Sequence, residues 1–246
     1  MPKTKRLRVF AGPNGSGKST LFRDIKEIIP PALFVNADDI EERLSNHGFL
    51  DLKDFNLELN QEDFDLFCKI ENAKTLIRKS EKLGHKIDIS IKENIVVDKS
   101  GDSHSYEASL VASFIRENLR KSEQNFSFET VMSHVSKLEE IKAAKESGYR
   151  IYFYFVCLDD LGINISRVEN RVEKGWHNVA PDKIVSRYSK TTENLLSALK
   201  LADRAYLFDN SDFMRLIAES HQGNLIIHYG KNSLPNWFIE YVLNKL

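Results

Sequence analysis

Apolar residues recur along this chain with two periods, and the places where the period changes divide it into elements. The run RLRVFA at 6–11 reads as a short buried strand. From Lys18 the period lengthens to that of a helix, with Leu21, Phe22, Ile25, Ile28 and Ile29 on one face and Pro30-Pro31 as the stop. ALFVNADDI reads as a second short strand ending near Asn36, with a helix starting around Asp38. Residues 46–60 read as an acidic loop. Phe64, Phe67, Ile70, Ala73 and Ile77 predict one amphipathic helix over 61–83, closed by Gly84. HKIDISIKENIVVDKSG alternates apolar and polar residues on both sides of Glu93-Asn94, the pattern of a β-hairpin.

A second long helix is predicted over 104–123, with Leu110, Phe114 and Leu119 on its buried face. NFSFET is a strand ending at Glu129, followed by a helix over 134–147 closed by Gly148. YRIYFYFVCL is the most apolar run and reads as a central strand. Helices at about 162–174 and 181–200 are joined by KGWHNVAP. DRAYLFDNS is a further strand, NLIIHYG an edge strand, and a last helix begins near Pro235. Strands alternating with helices predict an α/β class protein: a three-layer α/β/α fold around a mainly parallel sheet. The expected organisation is a single domain over 1–246, with a helical lid at 162–190 and an inserted helix and β-hairpin segment at about 46–103.

Chemistry enters between the first strand and the first helix. Gly12, Pro13, Asn14, Gly15, Ser16, Gly17, Lys18, Ser19 and Thr20 form GPNGSGKST, which fits the P-loop (Walker A) pattern G-x-x-x-x-G-K-[ST] in the strand–loop–helix context that makes it credible. Glycines let the backbone curl around a polyphosphate with its N–H groups inward, and the helix N-terminus adds positive potential. The Lys18 ammonium is expected on the β- and γ-phosphates, and the Ser19 hydroxyl on Mg²⁺. ATP and Mg²⁺ are thus the expected cofactors.

Composition narrows the setting. The 246 residues are 41% hydrophobic and 29% charged, which suits a globular chain with one substantial core. A formal net charge of −1 argues against a basic nucleic-acid-binding surface, so no nucleic-acid partner is expected. Cys68 and Cys157 lack metal-ligand spacing and suit a reducing cytoplasm. No run is long enough to span a bilayer, and the basic MPKTKRLR start leads into the phosphate loop rather than into a signal-peptide core, so a cytoplasmic location without membrane contact is expected.

In an open α/β sheet, ligands bind beyond the carboxyl ends of the strands. That rule selects Asp38 and Asp39, Glu129 and Thr130, Asp159 and Asp160, and Asp209 and Asn210. The loop resembles that of ABC-type ATPases, and FYFVCLDD imitates a Walker B segment. The LSGGQ-like signature of that family is absent from VSKLEEIKAAKESGYR, so Asp159-Asp160 is better read as an end-of-strand and helix-capping pair. A phosphotransferase needs a carboxylate to accept the hydroxyl proton and cations on the moving phosphoryl group. Asp38 fits the first need. Arg167, Arg171, Lys174 and Arg187 in the helical hairpin fit the second, with Arg167 and Arg171 on one helix face. His177 at the hairpin tip reads as a surface histidine.

Together VFAGPNGSGKST, FVNADDI, FSFETVMSH, GYRIYFYFV, RVENRVEKGWHNVAPDKIVSRY and ADRAYLFDNS resemble the zeta-toxin family of P-loop kinases, and more closely its small bacterial relatives described as predicted ABC-type ATPases. The resemblance implies an ATP-dependent kinase acting on a small-molecule hydroxyl, which in zeta toxins is the 3′-hydroxyl of the sugar in UDP-N-acetylglucosamine. It implies Asp38 as general base, Lys18 and Ser19 on phosphates and Mg²⁺, and Arg171 and Arg187 as lid cations. It also implies Glu129 and Thr130 as acceptor-binding residues. Zeta toxins read Glu-Gly-Thr at this strand, whereas here Thr130 follows Glu129 directly.

The resemblance also brings an antitoxin protein as a partner. Residues 38–65, with ten acidic side chains against two basic ones, would suit a basic partner, although a solvated face explains them more simply. The competing function classes are an ATP-dependent switch or interaction module without small-molecule kinase activity, and a polynucleotide-kinase-like enzyme that the charge disfavours.

Overall fold

In the computed structural model, which describes residues 4–29, 33–100, 105–172 and 179–246, the phosphate loop lies between strand β1 (Arg6–Ala11) and helix α1 (Lys18–Ile28). There follow β2 (Leu33–Val35), α2 (Ala37–His47), β3 (Phe49–Asp51), α3 (Gln61–Cys68), α4 (Glu71–Lys82), β4 (Ile89–Lys92), β5 (Ile95–Asp98), α5 (Ser105–Lys121) and β6 (Phe126–Thr130). The chain continues through α6 (Ser136–Glu146), β7 (Arg150–Cys157), α7 (Leu161–Val172), α8 (Pro181–Leu201), β8 (Arg204–Asp209), β9 (Arg215–His221), β10 (Asn224–Ile227) and α9 (Asn236–Tyr241). Pro30-Pro31, Lys174 and His177 lie outside the described residues, as does the side chain of Arg171. The chain divides into two compact units, residues 1–32 with 127–246, and residues 33–126.

The first unit is built on strands in the order β10-β9-β8-β7-β1-β6. β1 pairs parallel with β7, and β7 with β8, whereas β8–β9 and β9–β10 are antiparallel. Register sets the packing. Phe10 faces Tyr154, and Tyr154 faces Tyr206, so three rings stand in one row across three strands. Adjacent centroids are 4.8 and 5.1 Å apart, and Phe22 of α1 closes the row edge-on at 5.2 Å. On the opposite face Phe153 and Phe155 are fully buried, with Trp237 of α9 against Phe155. Helices on both sheet faces make this the three-layer α/β arrangement expected from the sequence. β9 had no counterpart in the sequence reading. Its Glu219, Ser220 and His221 mask the strand pattern, and the shift in register near Leu207/Phe208 breaks its periodicity.

The second unit is centred on α5, whose Val111, Phe114, Ile115 and Leu119 are fully buried. Phe64 and Phe67 pack on the Phe114 ring at 5.2 and 5.4 Å. The expected helix over 61–83 is two helices. The chain turns at Lys69, and Ile70 is extended (φ −72, ψ 142), so Phe64 and Phe67 face α5 without carrying Ile70 inward. The hairpin is present as β4–β5, with Glu93 and Asn94 at φ 50 and 67, the left-handed pair that a tight two-residue turn demands. Asn94 also fixes the preceding loop, donating to the Leu57 carbonyl and accepting from the Leu59 N–H. Residues 46–60 are more ordered than the expected loop. β3 pairs with β5, and 52–55 form a 3₁₀ turn. A three-residue strand held by a partner more than forty positions away leaves no local period to read.

A buried carboxylate cluster lies within this second unit. Glu107 is fully buried and its Oε1 meets His85 Nε2, while its Oε2 has no partner among the described residues. Burial first, then the nearby charges of Asp38 and Glu107, push the Glu41 carboxyl from 4.5 up to about 7. The folded state therefore favours neutral Glu41. That contribution to stability is complete below pH 4.5 and is lost as the pH rises through about 7. Glu41→Gln, which is neutral at every pH, should raise the thermal midpoint relative to the parent at pH 8, by on the order of 1–2 kcal/mol in stability, and much less at pH 4. Equal effects at both pH values would remove Glu41 titration as the cause.

Candidate functional site

The loop 12–20 is shaped by what surrounds it. Gly17 caps α1 in the left-handed region (φ 103), and no side chain caps the helix, so its first turn presents N–H groups at a positive dipole end. Lys18 is buried, and its Nζ donates to the Pro13 carbonyl at 2.9 Å, closing the loop on itself. Gly15 has φ +74, and a Cβ built there would stand 2.6 Å from the Asn164 carbonyl oxygen. Backbone approach this close between α7 and the loop leaves room for glycine alone.

Glu129, at the end of β6, is brought to the same point. Ser19 Oγ donates to Glu129 Oε2 at 2.9 Å, and Lys18 Nζ lies 3.7 Å from Glu129 Oε1. The strand-end rule selected Glu129; its bond to Ser19 could not be read from a separation of 110 residues. Thr130 accepts from the Met132 N–H at 3.0 Å, in a turn that places Met132 at φ 58. Arg187 is half-buried on α8. One turn further along, Thr191 Oγ1 donates to the Val131 carbonyl, and Asn194 donates to that of Met132. The helix that carries Arg187 is thereby tied to the segment leaving Glu129. Arg171 belongs to α7 by its backbone.

Asp38 lies in the second unit, in the first turn of α2, exposed, with its N–H bonded to Asn36 Oδ1. Asn36 is therefore the N-cap of α2, and the Asp38 carboxylate is not used for capping its own helix.

Asp159 and Asp160 do structural work, as the sequence suggested. Asp159 accepts from the Asn236 and Trp237 N–H groups at the start of α9, and Asp160 accepts from the Gly162 N–H at the start of α7. Asp209 accepts from Ser211, Arg215 and the Trp237 indole. Asn210, also selected by the strand-end rule, donates to the Ser16 carbonyl at 2.8 Å. Sequence reasoning missed Asn164, whose Nδ2 donates to the Asn14 carbonyl at 2.6 Å. The available signal was its position one helical turn before Arg167, on the same helix face. Among the described residues no group of three or more His, Cys, Asp or Glu side chains is arranged to hold a metal, and no helix is long and apolar enough to cross a membrane. The loop nevertheless fits a phosphate and a hard cation: uncapped N–H groups and an ammonium for the former, a hydroxyl and a carboxylate in contact for the latter.

No family model matches the sequence. A chain of the AvrRxo1-ORF1:AvrRxo1-ORF2 complex with ATP superposes with a TM-score of 0.57 at 15% identity, over 92% of this chain and 61% of that one. The complex with sulphate ions gives 0.56, also at 15% identity, over 92% and 62%. The chain shares its overall fold with these AvrRxo1 complex chains. A chain from the PezAT chromosomal toxin–antitoxin system of Streptococcus pneumoniae aligns at 12% identity and a TM-score of 0.46, over 97% of this chain and 76% of that one. An uncharacterized protein of Haemophilus influenzae is 32% identical over 63 residues, 26% of this chain and 45% of that protein. This chain thus spans about three-fifths of the AvrRxo1 complex chains it matches.

In this P-loop fold the contact of α7 with Gly15 gives a direct test. Gly15→Ala combines a left-handed backbone with a clash against the Asn164 carbonyl, and should lower stability to urea by about 2 kcal/mol. An unchanged unfolding midpoint would show that α7 yields at this contact.

Proposed function

We propose that this protein is an ATP-dependent phosphotransferase that moves the γ-phosphoryl group of ATP to a hydroxyl of a small molecule. The observation that carries the reading is the convergence of Lys18, Ser19 and Glu129 at the uncapped start of α1. The loop N–H groups and Lys18 bind and orient the polyphosphate. When bound, Mg²⁺ supplies Lewis-acid neutralisation of phosphate charge; Ser19 is its protein ligand, and Glu129 holds the Ser19 hydroxyl. Glu129 thereby takes a role on the metal side in addition to the acceptor contact implied for Glu129 and Thr130. Asp38 accepts the proton of the attacking hydroxyl as its oxygen forms the new bond to phosphorus, and ADP leaves with the electrons of the broken P–O bond. Arg171 and Arg187 stabilise the charge of the transferring group from a lid spanning 162–190.

The structure of the AvrRxo1 complex with ATP supports the choice of nucleotide. The resemblance to zeta toxins supports a UDP-amino sugar such as UDP-N-acetylglucosamine as the first acceptor to try, an antitoxin protein as a partner, and cytoplasmic action. On this reading residues 1–246 work as one kinase domain, and the segment 46–103 is an insertion that shapes acceptor access.

Incubation with γ-labelled ATP, Mg²⁺ and a metabolite extract supplemented with UDP-sugars and nucleosides should yield a labelled small molecule. Asp38→Asn should keep ATP binding and lose transfer by at least about a hundredfold. ATP-dependent capture of a protein, unaffected by Asp38→Asn and without any labelled acceptor, would favour a switch module instead.

Glu129 makes a second prediction through its charge. Lys18 and Glu129 together are neutral, so a polyphosphate entering beside Glu129 meets a carboxylate unless a cation lies between them. Glu129→Gln should therefore bind ATP more tightly than the parent in EDTA, and gain less from added Mg²⁺. Calorimetric titration with and without the metal checks both signs; an unaltered Mg²⁺ gain would place Glu129 outside the metal's surroundings.

A further inference from the structure

Two side-chain amides hold the phosphate loop from outside. Asn164, fully buried in the first part of α7, donates to the Asn14 carbonyl at 2.6 Å. Asn210, just beyond β8, donates to the Ser16 carbonyl at 2.8 Å, and its Nδ2 stands where a Cβ on Gly17 would be, at 2.6 Å. The two clamps are joined. Arg167, one turn along α7 from Asn164, donates through Nη2 to the Asn210 carbonyl at 3.2 Å.

The clamped carbonyls belong to alternate residues, Asn14 and Ser16. Turning these oxygens toward the amides turns the N–H groups of the same peptide units, those of Gly15 and Gly17, the opposite way, since each peptide unit is rigid and planar, while the Ser16 N–H is taken by the Pro13 carbonyl. The polar atoms nearby are not otherwise saturated. Asn14 Oδ1, Ser16 Oγ and Asn164 Oδ1 are buried without a hydrogen-bond partner among the described residues. Buried polar atoms left unpaired oppose folding, so this stretch is shaped for more than maximal stability.

We propose that Asn164 and Asn210 are positioning residues that set the loop in its phosphate-binding form before nucleotide arrives, and that Arg167 couples the two clamps. Pre-set N–H groups lose little freedom when the anion binds, which is the source of the affinity. The inference rests on the nucleotide-binding reading of the loop.

The test uses Asn164→Asp and Asn210→Asp, which preserve shape and remove the donor, in calorimetric titrations with Mg²⁺-ATP and Mg²⁺-ADP without an acceptor. Lys18→Ala is the control. At pH 8 each aspartate variant should bind both nucleotides about tenfold to a hundredfold more weakly than the parent, because a carboxylate faces a carbonyl where a donor stood. Near pH 5.5 the introduced carboxyl, raised by burial and by the facing carbonyl, regains a proton and donates again. The deficit relative to the parent at the same pH should then shrink several-fold, a recovery that a purely architectural role would not produce. Asn164→Ala and Asn210→Ala should show the loss without the recovery, and they carry the test if an aspartate variant does not fold. Aspartate and alanine variants that bind within twofold of the parent, while Lys18→Ala loses binding, would overturn the clamp and leave the kinase reading intact. A parent protein that binds no ATP, or binds it equally well after Lys18→Ala, would overturn the nucleotide reading and the clamp with it.

Discussion

The start of α1 is the constraint on which the rest of the first unit depends. A helix that begins at a left-handed glycine, with no side-chain cap, leaves backbone donors that must be met by water or by an anion. Lys18 is buried at the same point and needs oxygen partners of its own, which the Pro13 carbonyl and Glu129 supply. Such an end opposes folding unless other elements hold it. They do so from three directions: β6 through Glu129, α7 through Asn164, and the segment after β8 through Asn210. The order of strands puts these contacts within reach. β1 stands between β6 and β7, and β8 lies on the far side of β7, so every contributing segment leaves the sheet close to the loop.

Rigidity beneath the loop comes from the sheet. The row Phe10, Tyr154 and Tyr206 fixes the relative height of β1, β7 and β8, because a slip of one residue would turn each ring to the other face. Beyond the strand ends, Asp159 and Asp209 gather α9 and β9 through Trp237 and Arg215. Both aspartates follow strand ends, and the sequence already favours a structural role for Asp159. Their oxygens are engaged by donors of the protein itself, so a Walker B-like appearance at the end of β7 marks a structural junction.

How much could be read in advance follows from the range of each interaction. The phosphate loop, its flanking strand and helix, the hairpin turn at Glu93-Asn94 and the long helices are local patterns, and they stand where the sequence placed them. β3 and β9 did not announce themselves, because one is held by a distant hairpin and the other carries polar residues through a bulge. The break at Lys69–Ile70 has the same origin. Continuous apolar periodicity favours one helix, but the packing of Phe64 and Phe67 on Phe114 sets a register that Ile70 does not follow. Within the site, Glu129 was found by the strand-end rule and given only half its surroundings. Asn164 was passed over: its place one turn before Arg167 is a weak signal by itself, and its carbonyl partner lies 150 positions away.

On the proposed phosphotransferase reading, the distribution of charge accounts for the joining of the loop to α7 and α8. Lys18 and Glu129 cancel, so the inner loop offers a polyphosphate the helix dipole and backbone donors but no net side-chain charge. Cations on the outer oxygens must come from elsewhere in the chain or from a metal. Arg187 rides on α8, whose Thr191 and Asn194 grip the carbonyls just after Thr130. Arg167 rides on α7 and grips the carbonyl of Asn210. Each arginine helix is therefore tied to a strand end that also supplies the loop, one through the β6 exit and the other through the β8 exit. A shift of either helix would disturb Glu129 or Asn210 together with its arginine. Linked in this way, the cations, the carboxylate and the loop donors keep their relative distances, which is the property that electrostatic stabilisation of a transferring phosphoryl group requires.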